Sequence, residues 1–182
     1  MRRTDLMHVV AAAADVTGDD EFVVIGSQAI LASVDDPPES MLESMEADIY
    51  PRNDSGAADE IDGALGDGSP FHAAHGYYAH GVGPETAKPP RGWQDRLVGI
   101  GVPVHGGPMK GKMVTAWCLD PHDLVLSKLA AGRERDWEYA TEALKAEIVR
   151  PQVLLERVRS LPLSDQERER IDKNLRATIG SM

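Results

Sequence analysis

The stretch Glu21-Phe22-Val23-Val24-Ile25-Gly26-Ser27-Gln28-Ala29-Ile30-Leu31-Ala32-Ser33 (EFVVIGSQAILAS) changes character at its centre. Phe22 to Ile25 are aromatic or β-branched, types that suit a half-buried pleated strand, whereas Gln28 to Ser33 has helical propensity. Gly26 and Ser27 lie between them. The stretch therefore reads as a strand, a tight turn and a short helix. Such a turn can offer backbone N–H groups, the Ser27 hydroxyl and a helix dipole to a phosphate. In the plainer reading Gly26 only makes the turn and Ser27 only caps the helix.

Upstream, Leu6, Val9, Val10 and Ala13 recur at helical spacing within residues 5 to 17, and Gly18 follows as a stop signal. Downstream, the prolines and acids of Val34 to Ser40 (VDDPPES) mark an exposed loop. Met45 to Tyr50 then alternates, with Glu46, Asp48 and Tyr50 on one face and Met45, Ala47 and Ile49 on the other, as on a strand. Ala58, Ile61 and Leu65 are spaced for another helix. Three further runs, FHAAHGYYAHGV, DRLVGIGVPV and KMVTAWCL, read as strands separated by Gly and Pro turns. From Asp120 onward four amphipathic segments follow, with Asp, Pro or Ser at their starts. The expected class is α/β (α+β): a mixed sheet flanked by helices over residues 1–118, with a helical portion over 119–182 packed on it as one structural domain.

A chain of 182 residues with 42% hydrophobic content can bury one substantial core. It has no apolar run long enough to span a bilayer, and its N-terminal apolar stretch is broken by Asp15, so a cytoplasmic protein is expected. A single cysteine, Cys118, excludes an internal disulfide and a cysteine-based zinc site. The formal net charge of −11 argues against a general nucleic-acid binder, since phosphate-backbone affinity rests on clustered Lys and Arg.

Glu46 and Asp48, two residues apart on one strand face, suit shared oxygen ligation of a hard cation such as Mg²⁺. Alternating acids on a strand also make an ordinary wet face. Further on, the segment LDPHDLVLSKLAAGRERDWEYATEAL places Lys128 near the end of one helix, Gly132 at its break and Arg133, Arg135 and Asp136 at the start of the next. Lys128 and Arg133 can thus converge on an anion at a helix junction. A surface Lys beside a solvated Arg–Asp pair is the alternative. His72, His75 and His80 lie close together, His72 and His80 can share a strand face, and all three are assigned to structure or substrate contact rather than to a metal. Trp93, Trp117 and Trp137 are assigned to packing.

Taken together, VVIGSQAIL, MEADIYP and PHDLVLSKLAAGRERDWEYATEAL resemble the small bacterial nucleotidyltransferase-like proteins of the polymerase-beta superfamily. The chain is most similar there to the branch related to the abortive-infection type IV toxins. The resemblance spans Phe22 to Leu144, and DLVLSKLAAGRERD is its most specific part. It implies the nucleotidyltransferase fold, Mg²⁺, a nucleoside triphosphate donor and transfer of a nucleotidyl group to a tRNA-like RNA or a protein acceptor. It also implies a role as a toxin in a toxin–antitoxin or phage-defence pair, with an antitoxin protein as partner. In the implied site Gly26 and Ser27 cradle the triphosphate, Lys128 and Arg133 neutralise its charge, and Lys128 joins Glu46 and Asp48 in catalysis. Glu46 and Asp48 hold the metal, with Asp95 of WQDRLVGIGV as the third carboxylate from a neighbouring strand; taken by itself, Asp95 also reads as an ordinary surface acid at a strand start. The sequence departs from the pattern in its longer gap between the Gly-Ser and the acids. If Asp48 is the first acid, Tyr50 stands where the second belongs. The Glu46–Asp48 alignment is preferred because Tyr cannot replace a bridging carboxylate. A catalytically inactive domain that binds a nucleotide or a protein partner is the alternative.

Overall fold

A computed structural model describes all 182 residues. Helix α1 (Arg3–Thr17) buries Leu6, Val9, Val10 and Ala13 along one face, as their spacing requires. It ends at Gly18, which takes the left-handed conformation at φ 73° that a residue without Cβ adopts most cheaply. Strand β1 (Glu21–Val24) follows. After it, Ser27–Ala32 winds as a 3-10 helix of six residues, whose Gln28, Ala29, Ile30 and Leu31 are all buried.

Strand β2 (Glu46–Pro51) follows the Pro-rich loop, and α2 (Ala58–Leu65) buries Ala58, Ile61 and Leu65. The expectation of a strand across FHAAHGYYAHGV needs correction. Pro70–His75 forms helix α3, because the Ser69 side chain accepts from the His72 N–H, Pro70 occupies the first turn and Gly76 stops it at φ 75°. Only Tyr78–Gly81 is strand, β3. His72 and His80 accordingly lie on different elements. Strands β4 (Val98–Pro103) and β5 (Met113–Cys118) come next, then helices α4 (Pro121–Ala131), α5 (Glu134–Lys145), α6 (Pro151–Arg157) and α7 (Asp165–Gly180).

The five strands form one sheet in the order β3-β2-β1-β5-β4. β1 runs parallel to β5 and antiparallel to β2; β2 is parallel to β3, and β4 antiparallel to β5. The result is a mixed sheet flanked by helices, with the helical C-terminal portion anticipated from the sequence. One cluster of 43 buried residues runs from Leu6 to Leu175 and includes Cys118. No helix is long and apolar enough to cross a membrane.

Three features fix α4 against the sheet and its neighbours. The Leu119 N–H donates to the Val24 carbonyl at 3.2 Å, extending the β1–β5 ladder so that α4 starts beside the end of β1. Asp120 caps α4 by accepting the His122 N–H at 3.0 Å. The fully buried Asp123 is then held between Arg96 Nε at 2.7 Å and Arg157 Nη1 at 3.0 Å, tying α6 and the segment before β4 to α4. Charges removed from water must be paired in this way.

Candidate active site

The central turn of the sheet and the acids of β2 meet because of register. β1 and β2 are antiparallel with Val24 opposite Ile49, and the Ile25 N–H donates to the Asp48 carbonyl at 3.1 Å. Asp48 therefore lies against Gly26. A Cβ built on Gly26 would sit 2.1 Å from Asp48 Oδ2 and 2.8 Å from its Cγ. Gly26 has φ −83°, which any residue adopts, so its glycine is required by space rather than by backbone conformation.

Strand alternation puts Glu46 and Asp48 on the same face, and both line a cleft of about 670 Å³ with Gly26 and Ser27. Each acid has a partner directly across on β3. Tyr78 is paired with Glu46 and His80 with Asp48. Tyr78 Oη donates to Glu46 Oε2 at 3.0 Å, and His80 Nδ1 lies 2.9 Å from Asp48 Oδ1. Burial pushes the Asp48 carboxyl above its ordinary value; the His80 hydrogen bond pulls it down, and the Glu46 charge pushes it up again. Burial and the bond to Glu46 together push the Tyr78 hydroxyl up to about 12.

The opposite wall comes from the α4–α5 junction. α4 stops at Gly132, φ 76°, and α5 opens with the Arg133 N–H donating to Asp136 Oδ2 at 3.2 Å. Lys128, in the last turn of α4, places Nζ 3.7 Å from Asp136 Oδ1 and 4.5 Å from the centre of the Tyr139 ring. Tyr139 in turn donates to the Ser27 carbonyl at 3.4 Å, which joins this wall to the Gly26–Ser27 turn. Burial lowers the Lys128 ammonium below its usual range, against the pull of the Asp136 and Asp48 carboxylates.

Gly26, Ser27, Glu46, Asp48, Lys128 and Arg133 are thus brought to one cleft. Asp95 is not. It is exposed in a 3-10 turn (Trp93–Arg96) ahead of β4, and β4 is separated from β2 by β1 and β5, three strand spacings or roughly 14 Å. Tyr50 is buried opposite Val23, deeper in the sheet than Asp48, and does not line the cleft. The cleft also holds His80, for which substrate contact was one expectation, and residues that sequence reasoning left unassigned to it, Asp136 and Tyr139 among them. Asp136 stood in the quoted RERD segment, but its burial at 3% exposure and its bridge to Lys128 depend on how α5 packs on α4.

No group of three or more His, Cys, Asp or Glu side chains is arranged to hold a metal. The donors that are present, two carboxylates on a common face, are hard oxygen ligands. They fit a cation of the Mg²⁺ type, which commonly takes one or two protein carboxylates and completes its shell with substrate phosphates and water.

Residues 4–177 match the family described as nucleotidyltransferase of unknown function (DUF6036). The chain belongs to that family. Comparison with curated proteins and with solved structures finds no match.

Proposed function

We propose that this member of the nucleotidyltransferase family is a Mg²⁺-dependent enzyme that transfers a nucleotidyl group from a nucleoside triphosphate to an acceptor hydroxyl. One observation carries the reading. Asp48 packs its carboxylate on Gly26 in the cleft that Lys128 lines from the other side, although the three come from elements far apart in the chain. In this reading the Gly26–Ser27 turn lets the triphosphate approach the backbone closely, since no side chain stands at Gly26. Lys128 and Arg133 offset its charge from the α4–α5 wall. Arg133, exposed at the junction, also lines the cleft.

Glu46 and Asp48 would hold Mg²⁺, which when bound supplies electrostatic stabilisation of the charge developing on the phosphates. The acceptor hydroxyl attacks the α-phosphate in line, a new oxygen–phosphorus bond forms, the bond to the β-phosphate breaks, and pyrophosphate and a proton leave. Asp136 keeps Lys128 in place by the 3.7 Å contact, and the Tyr139 ring supports the ammonium from one side. For the acceptor, an RNA or a protein follows from the resemblance to toxin nucleotidyltransferases. The net charge of −11 weighs toward a compact acceptor surface rather than a long phosphate backbone.

The test is incubation with labelled nucleoside triphosphates and Mg²⁺, followed by a search for labelled RNA or protein. Label transfer by the wild type that disappears in Asp48→Asn, with the circular dichroism spectrum unchanged, is the expected result. Transfer that persists undiminished in that variant overturns the mechanism. A second reading, a nucleotide-binding domain without turnover, is favoured because no third carboxylate groups with Glu46 and Asp48 to hold a metal. Triphosphate binding with no label transfer to any acceptor is its signature.

A further inference from the structure

Strand β3 repeats, one strand over, the spacing of the acids on β2. Glu46, Ala47 and Asp48 stand opposite Tyr78, Ala79 and His80, and both alanines are fully buried beneath the pair. Above them, the two polar rungs are closed by the two hydrogen bonds of 3.0 and 2.9 Å. Each bond uses one oxygen of its carboxylate: Oε2 of Glu46 and Oδ1 of Asp48. The other Asp48 oxygen, Oδ2, is the atom that lies against Gly26.

A carboxylate projecting from a strand face can rotate about its last bond, and that freedom must be given up when it holds a ligand. A hydrogen-bond donor fixed on the next strand removes it in advance. Of the two donors here, Tyr78 presents its hydroxyl to Glu46 Oε2 from the facing position on β3. His80 is half exposed, at 48% of its side chain, and lines the cleft beside Asp48.

We propose that Tyr78 and His80 are positioning residues that fix which oxygens of Glu46 and Asp48 face a divalent cation in the cleft. The proposal rests on the reading of that acid pair as a cation site. Tyr78 holds Glu46 by Oε2, leaving Oε1 free. His80 holds Asp48 by Oδ1, leaving Oδ2 at the Gly26 turn where the phosphates would arrive. Hydrogen-bonded carboxylates of this kind lose roughly 10- to 100-fold in metal affinity when their outer partners are removed.

The experiment reads cation binding directly, by the electron paramagnetic resonance signal of free Mn²⁺ as Mn²⁺ alone is titrated into the protein. Wild type, Asp48→Asn, Tyr78→Phe, His80→Ala and His80→Asn are compared, with thermal melts to show that each is folded. Wild type should bind and Asp48→Asn should not. Tyr78→Phe and His80→Ala should each bind Mn²⁺ about 10- to 100-fold more weakly. His80→Asn should recover most of the loss, because its amide nitrogen takes the place of Nδ1. A merely structural role for the imidazole would give no such rescue. If wild type and Asp48→Asn bind alike, or neither binds, the acid-pair reading fails and the proposal with it. If Asp48→Asn loses binding while Tyr78→Phe and His80→Ala match the wild type, the acid pair stands and the positioning role is overturned.

Discussion

Replacing Gly26 by Ala adds one methyl group at the most crowded point of the cleft. The new Cβ would stand 2.1 Å from Asp48 Oδ2, whereas ordinary van der Waals contact begins at 3.4 Å, so the oxygen must retreat by about 1.3 Å (3.4 − 2.1). Rotating the carboxylate is not enough, because Asp48 Cγ at 2.8 Å and Cβ at 3.0 Å are also too close. β2 or the turn must shift, and the 2.9 Å contact with His80 is strained in the process. Overpacking of this kind costs about 1 to 3 kcal/mol. For a chain of this size that corresponds to a fall in Tm of roughly 2 to 12 °C. The strain is specific to one neighbour, which gives the assay its control. In an Asp48→Ala background only the Cβ contact at 3.0 Å remains, and Gly26→Ala should then cost a small fraction of its effect in the wild type. Thermal melts of the four proteins form a double-mutant cycle, with an expected coupling of about 0.5 to 3 kcal/mol. Label transfer should fall about 100-fold in Gly26→Ala, since a displacement near 1 Å at a reacting group has that effect. A wild-type Tm in Gly26→Ala, or the same loss in both backgrounds, would refute the packing argument.

Two further outcomes follow from the same geometry. Lys128→Ala should weaken tripolyphosphate binding about 10- to 150-fold, the range expected for loss of one charge-assisted contact of about 1.5 to 3 kcal/mol. Isothermal titration calorimetry checks this, and an unchanged affinity would leave Lys128 as a structural partner of Asp136 only. At acid pH the relevant group is Asp120. Burial alone would raise its carboxyl, but hydrogen bonds from His122 and Arg157 outweigh burial and hold it at about 2, below the ordinary 3.8. A depressed folded-state value means stability that is fully present above pH 3.8 and is lost as the pH falls toward about 2. Urea unfolding should therefore show wild type more stable than Asp120→Asn at pH 5, with the difference shrinking as pH falls to 2. An equal difference at both values would remove the ion pairs from the account of how α6 is held to α4.

Much of the frame was legible because it depends on local chemistry. The strand at Phe22, the stop at Gly18, the alternation from Glu46 to Tyr50 and the caps at Asp120 and Gly132 are each decided by residues within a few positions. FHAAH was misread for a related reason. It lacks a clear period, so the cap at Ser69, Pro70 and the stop at Gly76 had to outvote the aromatic content that suggested a strand.

The residues alone determined that Glu46 and Asp48 share a face, that a Gly-Ser turn follows the first strand and that Lys128 sits at a helix end. These are properties of fixed backbone periods, 2 for a strand and 3.6 for a helix. Which atoms meet across the molecule was decided by sheet order and register, which no local period contains. β3 pairs with β2, so His80 and Tyr78 stand at the acids; β4 lies at the far edge, so Asp95 stands away from them. α5 packs on α4, so Asp136 meets Lys128. Strand pairing is chosen by burying 43 residues in one core at once, and that choice belongs to the whole chain rather than to any segment of it.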